Sequence, residues 1–499
     1  MSTRSPRPST ARRGSRSGLA LLATIGLLVA ACGAPPTSGG SGGGREAGGG
    51  TEKELPKCPL EALEKATAPV KVNLWFGGLV DPPVTVLTDM VKAFNASQKK
   101  VVVTADNQGS SYAEVLRKYE GASPTPKQLP QMIYLEDTSL GEMVDKGQIL
   151  PAQSCMEADD YDPTRLTPAA RASYSVDGVL YPAYMNVSTP VLYYNKVHFQ
   201  KAGLDPNDPP KNLAEIEDVA RKLKEAGVSD KPMAFLANEW FLNTWVAGIS
   251  QDVVDNNNGR TKVPTKSTFD TPEVAAALKQ LQDLDKEGLL NSFPVTDGSI
   301  DHYISLVNED SSMLIETSTA SGTIAQVLGG DLTAEDAGVD FSGAIDSTKL
   351  VPGSGPMPGL ESPGKVFASG GAFYILNTSS PEQQAASWMF YKFMLQPENA
   401  KKWHIDGGYL PAVKEVVDDP DVLEFQETDL AGLLLKPAVD QVAAADPDQA
   451  GPLIGPYKGF QDALRGALEG VLFDGKDPKS ALGSAKSEVD TLLEDYNGN

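Results

Sequence analysis

The chain predicts an α/β fold of two lobes, and three observations carry that prediction. Short apolar strands alternate with amphipathic helices from Val70 onward, the order that builds largely parallel sheets. Helix start signals recur between the strands. The 499 residues also exceed what a single hydrophobic core usually accommodates.

The elements follow in order. Val70 to Phe76 alternates as a half-buried strand, and Leu87, Met90, Val91 and Phe94 then recur at i, i+3, i+4 and i+7, the stripe of a packed helix. Lys100 to Ala105 reads as the next strand, and Gln131 to Leu135, Val191 to Asn195 and Ala372 to Leu376 as buried runs. Asn212 with Glu215 makes an N-cap pair before Leu213, Ile216, Ala220 and Leu223. Thr271-Pro272 opens a helix bearing Leu278, Leu281 and Leu284, and Ser380-Pro381 with Gln383 opens one bearing Ala386, Met389, Phe390 and Phe393. In such folds ligands bind at the carboxyl ends of strands, so two facing lobes imply a hinged cleft.

Composition narrows the function. With 22% charged and 40% hydrophobic residues the chain is too polar for a polytopic membrane protein. Asp and Glu outnumber Lys and Arg by 66 to 43, a net charge of −23 that repels polyanions, so nucleic acid is excluded as a partner. The charge is unevenly placed. Residues 1–31 hold Arg4, Arg7, Arg12, Arg13 and Arg16 and no acid, leaving 38 cations against 66 acids, or −28, on the rest.

That basic segment precedes Gly18 to Ala31, an apolar run long enough for a secretory h-region and too short to span a bilayer. It ends Leu28-Val-Ala-Ala-Cys32 and resembles a bacterial lipobox. Residues 1–31 are therefore expected to be a cleaved lipoprotein signal peptide, with Cys32 lipidated and the chain held on the extracytoplasmic face of the cell membrane. Residues 32–56, rich in Gly and Ser, read as a flexible tether. Cys58 and Cys155 remain as an even pair in an oxidising compartment, which predicts a disulfide; two unpaired buried thiols are the alternative. Neither lies in a CxxC pattern or near a His, so neither zinc binding nor thiol catalysis is supported.

A longer resemblance follows. Asp177-Gly-Val-Leu-Tyr-Pro182, Asn186-Val-Ser-Thr-Pro-Val-Leu-Tyr-Tyr-Asn-Lys196, Phe199-Gln-Lys-Ala-Gly-Leu-Asp-Pro206 and Pro209-Pro-Lys211 match, almost residue for residue, a block of the extracellular solute-binding proteins (family 1) of ABC importers, in the sugar and glycerol-3-phosphate group. Leu74-Trp-Phe, Phe94-Asn95, Gly147 to Pro151, Phe269 to Pro272, Gly370-Gly371 and Gly408-Tyr-Leu-Pro411 resemble further segments of that family. Asn212-Leu213 departs from its usual Thr-Trp.

The resemblance implies a maltose-binding-like, class II periplasmic-binding-protein fold. The N-lobe would be 57–186 with 318–371 and the C-lobe 187–317 with 372–490, with crossings near Asn186 to Pro190, Thr317 to Ser321 and Gly370-Gly371. It implies a monomeric, non-enzymatic receptor that delivers a sugar, polyol or glycerophospho-compound to permease subunits, with no metal and no cofactor. The ligand contacts it implies are Tyr112, Glu136, Ser188, Ser318 or Ser321, Gly371 and Tyr409, with Trp240 and Trp245 as stacking aromatics, residue types that suit a polyol. Each also has a plainer reading, Glu136 as a solvated strand end, Tyr409 as a packing ring and Trp245 as core. The branch that binds glycerol-3-phosphate carries a phosphate-clamping arginine near a stretch that aligns with Gly451 to Gly455, where Lys458 is the nearest cation in sequence. That departure favours a neutral saccharide or polyol, or at most a zwitterionic phosphodiester with its cation against Trp240.

The rival class is a secreted carbohydrate hydrolase with a carboxylate pair, which 66 acids leave open. No GxSxG, HExxH or GxxxxGK[ST] occurs, and His198, His302 and His404 stand singly. Asp255-Asn-Asn-Asn-Gly259 resembles a calcium loop but has Val254 and Thr265 at its first and twelfth ligand positions, so it is expected to be a turn.

Overall fold

The structure is a computed structural model that describes residues 55–79, 81–296, 299–329 and 349–498. The expected signal peptide, Cys32 and all but the end of the tether lie outside the described residues.

In chain order the strands are β1 Val70–Phe76, β2 Val101–Asn107, β3 Met132–Glu136, β4 Ile149–Leu150, β5 Ser175–Val176, β6 Val179–Leu180 and β7 Tyr184–Met185. They continue with β8 Pro190–Asn195, β9 Met233–Leu236, β10 Leu290–Phe293, β11 Met313–Thr317, β12 Pro352–Pro356 and β13 Gly371–Leu376. The first sheet runs β2-β1-β3-β13-β4 with β7 added on β13, and the second runs β10-β9-β11-β8-β12; β5 and β6 form a hairpin. β1 is parallel to β2 and β3, whereas β13 enters antiparallel between β3 and β4.

Burial explains the strand order. Every residue of β13 and β8 is buried, as befits central strands covered on both faces. The edge strand β2 alternates buried Val101 and Val103 with exposed Val102 and Thr104. Helix starts occur where the capping residues predict them. Asn212 Oδ1 accepts from Glu215 N at 2.9 Å, Thr271 Oγ1 from Val274 N at 3.4 Å, and Ser380 with Gln383 forms a reciprocal capping box.

Two lobes are present, but their make-up differs from the expected division. β12 pairs with β8, so 352–356 belong to the second sheet, not the N-lobe. β13 pairs with β3, and helix Pro381–Met394 packs on β1 and β13, so this part of 372–490 belongs to the first sheet. The glycines at 370 and 371 mark a passage between lobes without saying in which direction the chain runs. A second passage lies between β7 and β8 at 186–189. Near Thr317 to Ser321 the chain does not leave the second lobe, because helix Ala320–Gly329 packs on helix Leu430–Ala443, which itself covers β8 and β12.

Cys58 and Cys155 are disulfide-bonded. The bridge closes a separation of 97 residues, worth about 4.7 kcal/mol in the chain-entropy picture. It holds helix Leu60–Lys65 against helix Pro381–Met394, at the side of the first sheet. Asp255 to Gly259 is a turn. Asn256, Asn257, Asn258 and Gly259 all have left-handed backbone, with φ of 59°, 54°, 53° and 73°. Asp255 is occupied by Thr265, whose N and Oγ1 donate to it at 2.7 and 2.6 Å.

Candidate functional site

β3 delivers the first group of site residues. Its apolar run ends at Glu136 and Asp137, at the carboxyl end of a parallel strand, where an α/β sheet presents its ligand site. Gly371 of β13 lies opposite Glu136 in register. A Cβ there would sit 2.1 Å from Tyr134 Oη, so glycine is what lets the Tyr134 phenol lie along the backbone.

That phenol is the centre of a buried network. Tyr134 is fully buried, its Oη lies 3.0 Å from Tyr112 Oη and accepts from Asn186 Nδ2 at 2.8 Å. The Tyr409 phenol interacts with Tyr134, Asn186 and Tyr112, and its ring stacks on Trp403 with 5.9 Å between centroids. Burial pushes the ionisation of Tyr112, Tyr134 and Tyr409 upward, so these three phenols act as neutral donors and acceptors. Asn186 Oδ1, wholly buried, has no hydrogen-bond partner among the described residues.

The second lobe supplies a charged wall. Helix Glu239–Gly248 opens with Asn238 capping Trp240 N, which brings Glu239 and Trp240 to its first turn. Glu239, 2% exposed, accepts from Gln461 Nε2 at 2.7 Å and from Arg465 Nη2 at 3.2 Å, both on helix Tyr457–Leu472. Tyr457 Oη accepts from Asn243 Nδ2 at 3.1 Å. Trp240 Nε1, Asn243 Oδ1 and Arg465 Nε are buried polar atoms without a hydrogen-bond partner among the described residues, the type of group that a polar ligand satisfies.

The carboxyls feel both walls. Burial, then the neighbouring charges of Asp137 and Glu239, push Glu136 up to about 8, against the Thr138 hydroxyl and the Arg465 charge. Burial pushes Asp137 up to about 6, opposed first by the Ser369 hydroxyl, which donates to it at 3.0 Å. At neutral pH Glu136 is therefore largely a neutral acid that can both donate and accept. Asp137, Trp240, Arg260, Ser369 and Tyr457 line one cavity of about 20 Å³, room for one or two waters.

Of the sequence-predicted residues, Tyr112, Glu136, Trp240 and Tyr409 gather at this line between the sheets. Ser188 and Ser318 do not line that cavity but fasten the chain where it passes between the lobes. Ser188 Oγ donates to Ser369 O at 3.2 Å, and Ser318 Oγ accepts from Thr189 N at 3.3 Å. Ser321 is buried, with its Oγ unpartnered among the described residues. Trp245 is corrected. It is 1% exposed, stacks parallel to Phe235 and donates Nε1 to Pro358 O at 2.8 Å, so its ring is core.

The expectation that no cation lies near Gly451 to Gly455 is also corrected. Arg260 Nε and Nη2 donate to Gly451 O at 2.8 and 2.5 Å. Sequence distance hid it, because Arg260 comes from the left-handed turn nearly two hundred residues earlier. Sequence reading also missed Tyr134, Asp137, Asn186, Glu239, Tyr457 and Arg465. Asp137 and Glu239 adjoin residues it had singled out, whereas nothing local marks Tyr457 or Arg465.

Comparison with known proteins agrees with this architecture. A family model described as bacterial extracellular solute-binding protein matches residues 89–427. The sn-glycerol-3-phosphate-binding periplasmic protein UgpB of Brucella abortus (strain 2308) is 26% identical over 423 residues, covering 82% of this chain and 90% of the relative. The protein of the same name from Escherichia coli (strain K12) is 27% identical over 349 residues, 67% of this chain and 72% of its own. Among solved structures, UgpB of Mycobacterium tuberculosis in complex with glycerophosphocholine superposes with a TM-score of 0.68 at 17% identity, over 87% of this chain and all of that one. The cyclic alpha-maltosyl-1,6-maltose binding protein of Arthrobacter globiformis superposes with 0.67 at 21% identity, over 86% of this chain and all of that one.

Proposed function

The chain belongs to the bacterial extracellular solute-binding proteins, and from that premise we propose that it captures a sugar, polyol or glycerophospho-compound between its lobes and hands it to an ABC permease. The observation that carries this reading is the pairing of a neutral phenol and carboxyl cluster on one lobe with unpartnered buried donors and acceptors on the other. A polyhydroxylated molecule offers alternating donors and acceptors to both. Tyr112, Glu136 and Tyr409 would bind hydroxyls from the first lobe, and Trp240 would stack or donate from the second. The donors Arg465 Nε and Trp240 Nε1 widen the earlier expectation, because a phosphodiester would also find partners here. Gly371 serves by making room for Tyr134, Ser188 and Ser318 serve at the crossing over 186–189, and Ser321 offers a buried hydroxyl beside them in sequence.

Lipidation at Cys32, a tether over 32–56 and a monomeric receptor at the outer face of the cell membrane complete the proposal, supported by the signal-like segment and the lipobox resemblance. The hydrolase alternative finds no support among the relatives, which are binding proteins, and no chemical step is proposed.

A thermal-shift screen of neutral sugars, polyols, glycerol-3-phosphate and glycerophosphodiesters tests the function. A ligand at 100 times its Kd should add about 2.7 kcal/mol of stability, and Glu136→Ala should reduce that response. No response from any class, or product formed on prolonged incubation, would overturn the reading.

A further inference from the structure

The two lobes also touch each other directly, outside the crossing segments, and the contacts converge on the stretch that precedes helix Tyr457–Leu472. Arg260 is the first. It leaves a left-handed turn that is itself docked on this stretch, with Leu453 N donating to Asn258 O at 2.8 Å and a Cβ on Gly259 falling 2.3 Å from Leu453 O. While its Nε and Nη2 hold Gly451 O, its Nη1 donates to Ser173 O at 2.9 Å and Ser175 O at 3.1 Å. Those carbonyls lie where helix Pro168–Ser173 ends and β5 begins, a segment tied to the first lobe by Tyr174 Oη donating to Gly370 O and Thr167 N to Ala412 O. A planar guanidinium is suited to this task, because one rigid fork reaches acceptors on both sides.

Two more contacts flank it. Tyr496 Oη, near the end of the last helix, donates to Asp145 Oδ2 at 3.0 Å on helix Leu140–Asp145 of the first lobe. Gly141 of that same helix approaches the backbone of Ile454 so closely that a Cβ would lie 2.9 Å from its carbonyl oxygen. Between these contacts lies the cavity of about 20 Å³, far below the few hundred Å³ that a drug-sized ligand occupies. A sugar-sized solute can enter only if the lobes part, and parting them breaks the Arg260 and Tyr496 bonds.

We propose that Arg260, seconded by Tyr496 and the Gly141–Ile454 contact, is a latch that holds the two lobes together in the closed arrangement and sets how readily the cleft opens. The inference rests on the two-lobe fold and on no particular ligand.

Small-angle X-ray scattering of the purified full chain, with nothing added, tests it. The parent protein should scatter as the closed arrangement. Arg260→Ala should enlarge the radius of gyration, with the open-to-closed ratio raised about tenfold or more, equivalent to about 1.4 kcal/mol per decade. Arg260→Lys, which keeps the charge but loses the fork, should fall between, and Tyr496→Phe should give a smaller shift in the same direction. A folded Arg260→Ala protein that scatters like the parent would overturn the latch, as would a parent already expanded relative to the closed arrangement. If Arg260→Ala does not fold, Tyr496→Phe, which deletes one hydroxyl, decides. No ligand is used, so a failed ligand screen and a failed latch are distinguishable.

Discussion

The two walls of the cleft solve the same problem differently. On the first lobe, Tyr112, Tyr134, Tyr409 and Asn186 form a neutral hydrogen-bonded network around the end of β3. On the second, Glu239, Arg465 and Gln461 form a charged cluster across two helices, with donors left over. The comparison teaches that shape and charge are separately supplied. Phenols and an amide nitrogen that hydrogen-bond one another fix positions without a large desolvation penalty, while the ion pair keeps charge available at the site because each partner offsets the other.

Unequal construction should show first in stability. The first lobe carries the disulfide, so replacing Cys58 and Cys155 with Ser should destabilise the protein by about 2–5 kcal/mol. Differential scanning calorimetry checks this, and the loss should fall on the transition that reports first-sheet packing. If the second lobe's melting fell equally, the two would be one cooperative unit.

The charged wall gives the next largest effect. Arg465→Ala leaves the carboxylate of Glu239 nearly buried with only Gln461 beside it, and should destabilise the fold by about 3 kcal/mol, the low end for a broken buried pair since Arg465 keeps some exposure. Urea denaturation measures this. Adding Glu239→Gln in the Arg465→Ala background should recover most of the loss, and a lack of recovery would count against a tight pair.

On binding, Glu136→Ala should weaken the best ligand of the screen by about 1.5–3 kcal/mol if that ligand engages the ionised carboxylate, and by less if it meets the neutral acid. Isothermal titration at pH 6 and pH 9 separates these. A ligand with a cationic group should bind more tightly as pH passes about 8, whereas a neutral polyol should show little change.

The last comparison is the pH slope of stability. Glu136 is raised from 4.5 to about 8 in the folded state, so between those values the folded chain holds a proton that the unfolded chain has released. Its contribution is fully present below about 4.5 and is lost as pH rises through about 8. Glu136→Gln should therefore flatten the decline of melting temperature with rising pH across that window. An unchanged slope would mean that Asp137, raised to about 6, or other groups dominate.

What could be read from the chain was what local pattern encodes. The central strands, the capped helices and the end of β3 carry their own periodicity and capping residues, whereas Glu136 and Tyr112 are singled out by the family resemblance alone, since local pattern reads Glu136 as a solvated strand end. Lobe membership was not, because β12 and β13 are short buried runs whose partners lie far away in sequence, and period-two patterning does not name a neighbour. Trp240 and Trp245 show the same limit at one residue type. They sit five positions apart on one helix, and only packing separates a ring at the cavity from a ring stacked on Phe235. Arg260 and Arg465 were invisible because each reaches its partner through tertiary contact alone.

The late arrival of β13 bears on how this protein is made. β3 has its antiparallel neighbour only when Gly371 to Leu376 appear, some 235 residues after Glu136. Until then, during synthesis or while the chain emerges at the outer face, the first sheet exposes an apolar, unpaired strand edge. Met132 to Leu135, fully buried at the end, are thus the segment that most needs shielding while the chain is being produced. A chain stalled before residue 371 should be a preferred client of a holding chaperone, and one released after residue 376 should not.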